Sequence, residues 1–114
     1  ELEEKGYLRR PKIKKECEHN GHIFYIVLRK DIDRSFVMNK MKEIGIYLAF
    51  HYIPLHSSPG GRKYGKYYGD MKNTNIISRQ ILRLPIWIGL TTQMQERIIY
   101  ELKDTINKFF SINT

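Results

Sequence analysis

The sequence predicts a single α/β sandwich of the α+β kind, in which a small, largely antiparallel sheet carries helices on one face. Three observations predict it. Residues 22–29 form a β-branched and aromatic run bounded by turn residues, and Met94, Ile98, Leu102, Ile106 and Phe109 recur at helical spacing. Between them, short apolar elements alternate with Gly, Asp and Thr stops, and 114 residues with 41% hydrophobic content suffice for one core.

The elements follow in order. Residues 1–6 read as the end of a helix closed by Gly6, and residues 1–20 as that helix end plus a connector. Pro11 and the Lys-rich stretch after it read as connector or short edge strand. The run His22–Arg29 is apolar on both faces, which predicts a central strand. Asp33 is placed to cap a helix that turns Phe36, Val37, Met41 and Ile44 inward and stops at Gly45. Ile46–Phe50 is short and β-like.

From Pro54 to about Asp70 the chain is rich in Gly, Pro, Ser and Tyr without a period, which predicts a long loop. Loops of that length in compact domains are usually functional. Asn73–Leu82 reads as a short helix, since Ile77 and Ile81 lie four apart. Leu84–Ile88 reads as an edge or irregular strand because it contains Pro85. Thr92–Gln95 has the form of a capping box and opens the last helix.

Charge and composition exclude several classes. The longest apolar runs, Ile23–Leu28 and Leu84–Leu90, fall far short of the roughly 20 residues of a spanning helix, so no membrane segment is expected. The first sixteen residues are mostly charged and offer no apolar signal region. The chain opens on Glu1 in mid-charge, which suggests a piece of a longer protein. One cysteine, Cys17, suits a reducing cytosol, so a cytoplasmic location is expected. Of the net charge of +8, residues 62–83 supply +5, with six bases against Asp70 alone. That segment should attract a phosphorylated small molecule, a nucleic acid or an acidic protein face.

Chemistry-bearing patterns are few. Cys17, His19, His22, His51 and His56 lack the spacing of a metal site, so no metal is expected. Cys17 has no base at a readable spacing, Ser57-Ser58 has no elbow glycines, and Gly60-Gly61 is not a P-loop. No catalytic residue is assigned within this chain.

The pattern that remains is His51-Tyr-Ile-Pro-Leu-His56, followed by Tyr64, Tyr67 and Tyr68 among Arg62, Lys63 and Lys66. Such residues just past a strand end can orient phosphate and sugar hydroxyls. A polar surface loop with rings packed on the sheet would look the same. So would a free-standing basic domain stacking single-stranded nucleic acid on its tyrosines, although Phe24 and Tyr25 point to opposite faces of their strand.

The run Gly45-Ile-Tyr-Leu-Ala-Phe-His51-Tyr52-Ile-Pro54-Leu-His56, then Pro59 and Tyr64-Gly65, resembles the DegT/StrS group of sugar-nucleotide aminotransferases. So do Phe24-Tyr25-Ile26 and Ser78-Arg-Gln-Ile-Leu-Arg-Leu-Pro85-Ile-Trp87 leading into Thr91-Thr92. The likeness runs in order from about residue 7 to residue 109 and is greatest to the TDP-4-amino-4,6-dideoxygalactose transaminase branch.

The resemblance implies the small carboxyl-terminal domain of a homodimeric fold-type-I enzyme dependent on pyridoxal phosphate (PLP). That enzyme would move an amino group from glutamate to a 4-keto-6-deoxy sugar nucleotide, in the making of cell-surface polysaccharide or antigen sugars. It implies that the cofactor lysine lies in an amino-terminal large domain of the same polypeptide, and that this chain alone binds no PLP and is inactive. Residues 51–71 would face the substrate, with His51, Tyr52 and His56 as contacts. Arg62 and Lys63 are assigned to the diphosphate on charge alone, while Arg79 and Arg83 are equally read as structural cations in surface pairs. Phe36 and Trp87 are expected to be bare where the large domain would sit, and to drive self-association.

Overall fold

The computed structural model describes residues 1–112. Four strands, β1 (Leu8–Arg9), β2 (Phe24–Leu28), β3 (Ala49–Phe50) and β4 (Ile81–Leu84), form one sheet in the order β1-β2-β4-β3, antiparallel throughout. The helices are α1 (Arg34–Glu43), α2 (Pro59–Tyr64), α3 (Lys72–Gln80) and α4 (Thr92–Ile112), with a 3-10 turn at Leu55–Ser57. The predicted class holds: a small antiparallel sheet carries helices, and α1 and α4 pack together over its core face.

Register explains which residues are buried. Leu8 pairs with Leu28, Ile26 with Leu82, and Phe24 with Leu84, so these side chains share one face. Onto that face α1 lays Val37 and Met41, and α4 lays Ile98, Leu102 and Ile106. Ile26, Leu28, Val37, Met41, Leu82 and Ile106 are essentially inaccessible to solvent. Each such side chain contributes roughly 1.5–3 kcal/mol of burial. As predicted, β2 is interior and α4 carries the apolar stripe, which also includes Thr105.

Local chemistry sets the element ends. Asp33 Oδ1 accepts the Ser35 N–H at 2.8 Å and starts α1, and Gly45 stops it at φ +79°. Residues 1–6 form a single hydrogen-bonded turn, with Tyr7 N–H donating to Leu2 O and Gly6 at φ +68°.

Of the two readings for Pro11 and the stretch after it, the connector holds, and the edge strand is Leu8–Arg9. Five expectations need correction. Ile44 is 37% exposed, because α1 ends at Glu43 and Ile44 is its C-cap, one step past the turn that carries Met41 into the core. The strand expected at Leu84–Ile88 lies at Ile81–Leu84, since Pro85 has no N–H to continue the ladder and Ile81 is already extended. The cap of α4 is Thr91, whose Oγ1 accepts the Met94 N–H at 3.2 Å, and Gln95 reaches Leu90 O instead of closing a box. The region 54–70 is not all loop, because Ser58 Oγ accepts the Gly61 N–H and Pro59 sits at the first helical position, which together start α2. Phe36 is not bare, since it packs on the core against Phe109, whereas Trp87 is 49% exposed.

Candidate functional site

The end of β3 delivers His51 and Tyr52 to a cleft of about 230 Å³ against α3. Arg34 from the start of α1, Ser57 from the 3-10 turn, and Asn75, Ser78 and Arg79 from α3 complete the polar lining. No carboxylate of the described residues lines it.

Arg34 is fixed by the backbone. Its Nη1 donates to Ser78 O at 2.6 Å and to Ile81 O at 3.3 Å, and its guanidinium lies 5.5 Å from the Phe50 ring centre. The two carbonyls terminate α3, so the cation meets the negative end of that helix. Partial burial lowers the Arg34 pKa from its ordinary value, with nearby Asp33 opposing the shift. An arginine stays charged through any such change.

The predicted contacts separate into two groups. His51 is half-buried with its Nδ1 enclosed and unbonded among the described residues, and its ring meets Tyr52 edge to face. Tyr52 is 74% exposed and lies 5.5 Å from the Arg83 guanidinium, which also donates to Phe50 O at 3.3 Å. His56 is next door, its Nε2 2.8 Å from Asn75 Oδ1 and its ring edge-on to Tyr67.

Arg62 and Lys63, by contrast, sit on the exposed last turn of α2 and do not line the cleft. Lys63 Nζ lies 5.0 Å from its neighbour's ring, Tyr64. Arg79 and Arg83, expected in surface pairs, have no carboxylate partner among the described residues: Arg79 opens on the cleft and Arg83 stacks on Tyr52.

Sequence reasoning missed Arg34, Asn75 and Arg79 as a set. The Asp33 cap does place Arg34 at the first helical position, but nothing local reveals that it meets α3 across 44 residues. Gly61 belongs to no P-loop and is needed for packing: a Cβ there would lie 1.6 Å from Leu55 O, so only glycine lets α2 close on the 3-10 turn.

A metal or an imine-forming lysine would need particular surroundings. Among the described residues, no three His, Cys, Asp or Glu side chains come together to hold a metal. Every lysine is exposed except Lys103, which is half-buried and bonded to Glu1. None is withdrawn from water as an imine-forming lysine is. No described helix is long and apolar enough to cross a membrane.

Residues 1–103 match the DegT/DnrJ/EryC1/StrS aminotransferase family. The chain belongs to that family. It is 30% identical over 111 residues to the 3-oxo-glucose-6-phosphate:glutamate aminotransferase of Bacillus subtilis, covering 95% of this chain and 24% of that protein. It superposes on NtdA from Bacillus subtilis with bound cofactor PMP at a TM-score of 0.75 and 29% identity, over 93% of this chain and 24% of that one. The aminotransferase TlmJ from Streptoalloteichus hindustanus shares the fold at a TM-score of 0.78 and 18% identity, over 91% of this chain and 27% of that one. The chain thus spans about a quarter of the length of the proteins it matches.

Proposed function

We propose that this chain is the small carboxyl-terminal domain of a PLP-dependent, cytoplasmic, homodimeric aminotransferase. The enzyme moves an amino group from glutamate to a 4-keto-6-deoxy sugar nucleotide that feeds cell-surface polysaccharide synthesis. The cofactor, which supplies the electron sink for transamination, is held by a larger amino-terminal body of the same polypeptide. Residues 51–71 form the loop that faces the substrate.

One observation carries the reading. The residues that match the family's motif, His51 and Tyr52, open with two guanidinium groups on one acid-free cleft, beside His56. His51, Tyr52 and His56 orient the sugar, and Arg62 and Lys63 border the loop as further cations. The exposure of the lysines supports placing the imine-forming one elsewhere in the polypeptide. Family membership disfavours the alternative of a free-standing domain for single-stranded nucleic acid.

A second reading concerns the acceptor. The Bacillus subtilis relative is named for 3-oxo-glucose 6-phosphate and glutamate, which favours a keto-sugar monophosphate in place of a sugar nucleotide. Assay of the polypeptide that joins this domain to its PLP-binding body separates the two. With glutamate as donor, amination of one of these sugars is expected, and Tyr52→Ala or His56→Ala raises KM. Amination of neither sugar contradicts the proposal.

A further inference from the structure

We infer that the cleft between His51 and α3 is a phosphoryl seat, with Arg79 and the Asn75 carboxamide as its principal donors. Arg34 supplies the positive charge of its back wall, beside the His51 ring. The inference deepens the substrate reading above and rests on it only for what the phosphoryl group is attached to.

The argument begins with unbalanced charge. Two guanidinium groups and an imidazole share a concave space with no carboxylate. Elsewhere, Arg10 is paired with Glu3, Arg29 with Asp31, and Arg97 donates to Ile44 O. The Arg79 side chain makes no hydrogen bond or ion pair with any described residue, yet it stands at the cleft. It sits on the last full turn of α3, where the helix dipole alone would repel an anion. Arg34 cancels that repulsion by occupying Ser78 O and Ile81 O. The fixed cation neutralises the helix end, and the free one is left for a ligand.

The neutral donors agree. Asn75 spends its carbonyl oxygen on His56, which leaves its NH₂ as a donor beside Arg79. Ser57 and Ser78 donate their hydroxyls to Pro54 O and Asn75 O, so they can only accept and contribute no donor. His51 Nδ1 is enclosed without a partner, a costly state for a buried polar atom that a bound oxygen relieves when that nitrogen carries the proton. The volume, about 230 Å³, lies below the roughly 300–1,000 Å³ of pockets that swallow whole ligands. It suits one charged end of a larger molecule. Arg62 and Lys63, first assigned to the diphosphate, lie outside it.

The phosphoryl group can belong to a sugar monophosphate or to the diphosphate of a sugar nucleotide. Titration of the ¹⁵N-labelled chain with inorganic phosphate, glucose 6-phosphate, uridine diphosphate and glutamate at constant ionic strength tests the seat without any catalysis. We expect saturable shifts of the Asn75 side-chain amide, the His51 ring and Arg79 Nε with the three phosphates. Arg79→Gln, a change at an exposed side chain, should weaken phosphate binding about tenfold with an otherwise unchanged spectrum, and Arg79→Lys should restore part of it. The double change of Arg62 and Lys63 to Gln should leave it intact. Tighter binding of glucose 6-phosphate than of uridine diphosphate, or the reverse, identifies the source, and either fits the seat. Absence of saturable shifts, shifts centred on Arg62 and Lys63, unchanged binding by Arg79→Gln, or glutamate binding as tightly as phosphate each overturns it. A joined enzyme that fails to transaminate would leave these shifts in place, so the two readings fail separately.

Discussion

His56 Nε2 lies 2.8 Å from Asn75 Oδ1, joining the turn after β3 to α3 across nineteen residues. A carboxamide oxygen only accepts, so Nε2 carries the proton in this bond. The bond fixes the tautomer of one predicted substrate contact and turns the Asn75 NH₂ toward the cleft. Asn75→Ala should cost about 1 kcal/mol in chemical denaturation, the usual net value of one such bond. It should also mix the two His56 tautomers in long-range ¹H–¹⁵N spectra. A single unchanged tautomer would contradict this role.

Gly61→Ala should be among the most damaging small changes in the chain. The added methyl would lie 1.6 Å from the Leu55 carbonyl, backbone that cannot swing aside. Overpacking of this kind costs about 1–3 kcal/mol, and here it would open α2 away from the 3-10 turn. Gly60→Ala, with open space around its Cβ, should be nearly silent. Equal denaturation midpoints for the two variants would refute the packing.

The core makes a matching contrast on α1. Met41 is fully buried and its sulfur accepts the Thr105 hydroxyl at 3.6 Å. Met41→Ala should therefore cost about 2–5 kcal/mol. Ile44, three residues on, is 37% exposed, and Ile44→Ala should cost only about 1 kcal/mol. Comparable losses at both sites would return Ile44 to the core.

Acid should weaken one particular tie. Arg29 donates to both oxygens of Asp31 at 2.6 and 2.8 Å and lies against the rings of Tyr7 and Phe110. The hydrogen bond from Arg29, outweighing partial desolvation, lowers the Asp31 pKa below its ordinary value. A carboxylate with a lowered folded pKa adds stability above the unfolded value, about 3.9. That stability disappears as pH falls through the folded value. Thermal unfolding from pH 6 to pH 2 should therefore show Asp31→Asn less stable than the parent at pH 6, with the gap closing in acid. A gap independent of pH would exclude the pair as its source.

What the sequence made legible was whatever depends on spacing within one element. The Ile98, Leu102, Ile106 stripe, the Asp33 cap and the apolar run of β2 each follow from residues close in the chain, and the structure keeps all three. What it hid depends on partners far away. Ile77 and Ile81 mimic helical spacing, yet Ile81 is extended because β4 pairs with Val27 and Leu82 fills the core. The start of α2 was readable in Ser58-Pro59 but was masked by the glycines after it. In the site, the motif residues His51, Tyr52 and His56 were found by order in the chain. Arg34 and Arg79 were not, because only the reach of the Arg34 side chain from the start of α1 to the end of α3 brings them to the same cleft.

The central claim is that this domain works only as the companion of a separate cofactor-holding body. Its most direct test is to mix the purified chain with pyridoxal phosphate, then with glutamate and each keto-sugar substrate, following cofactor absorbance and amino-sugar formation. No stoichiometric cofactor uptake and no amination are expected until the companion body is supplied, whereupon both should appear. Stoichiometric uptake and turnover by the chain alone would contradict the account.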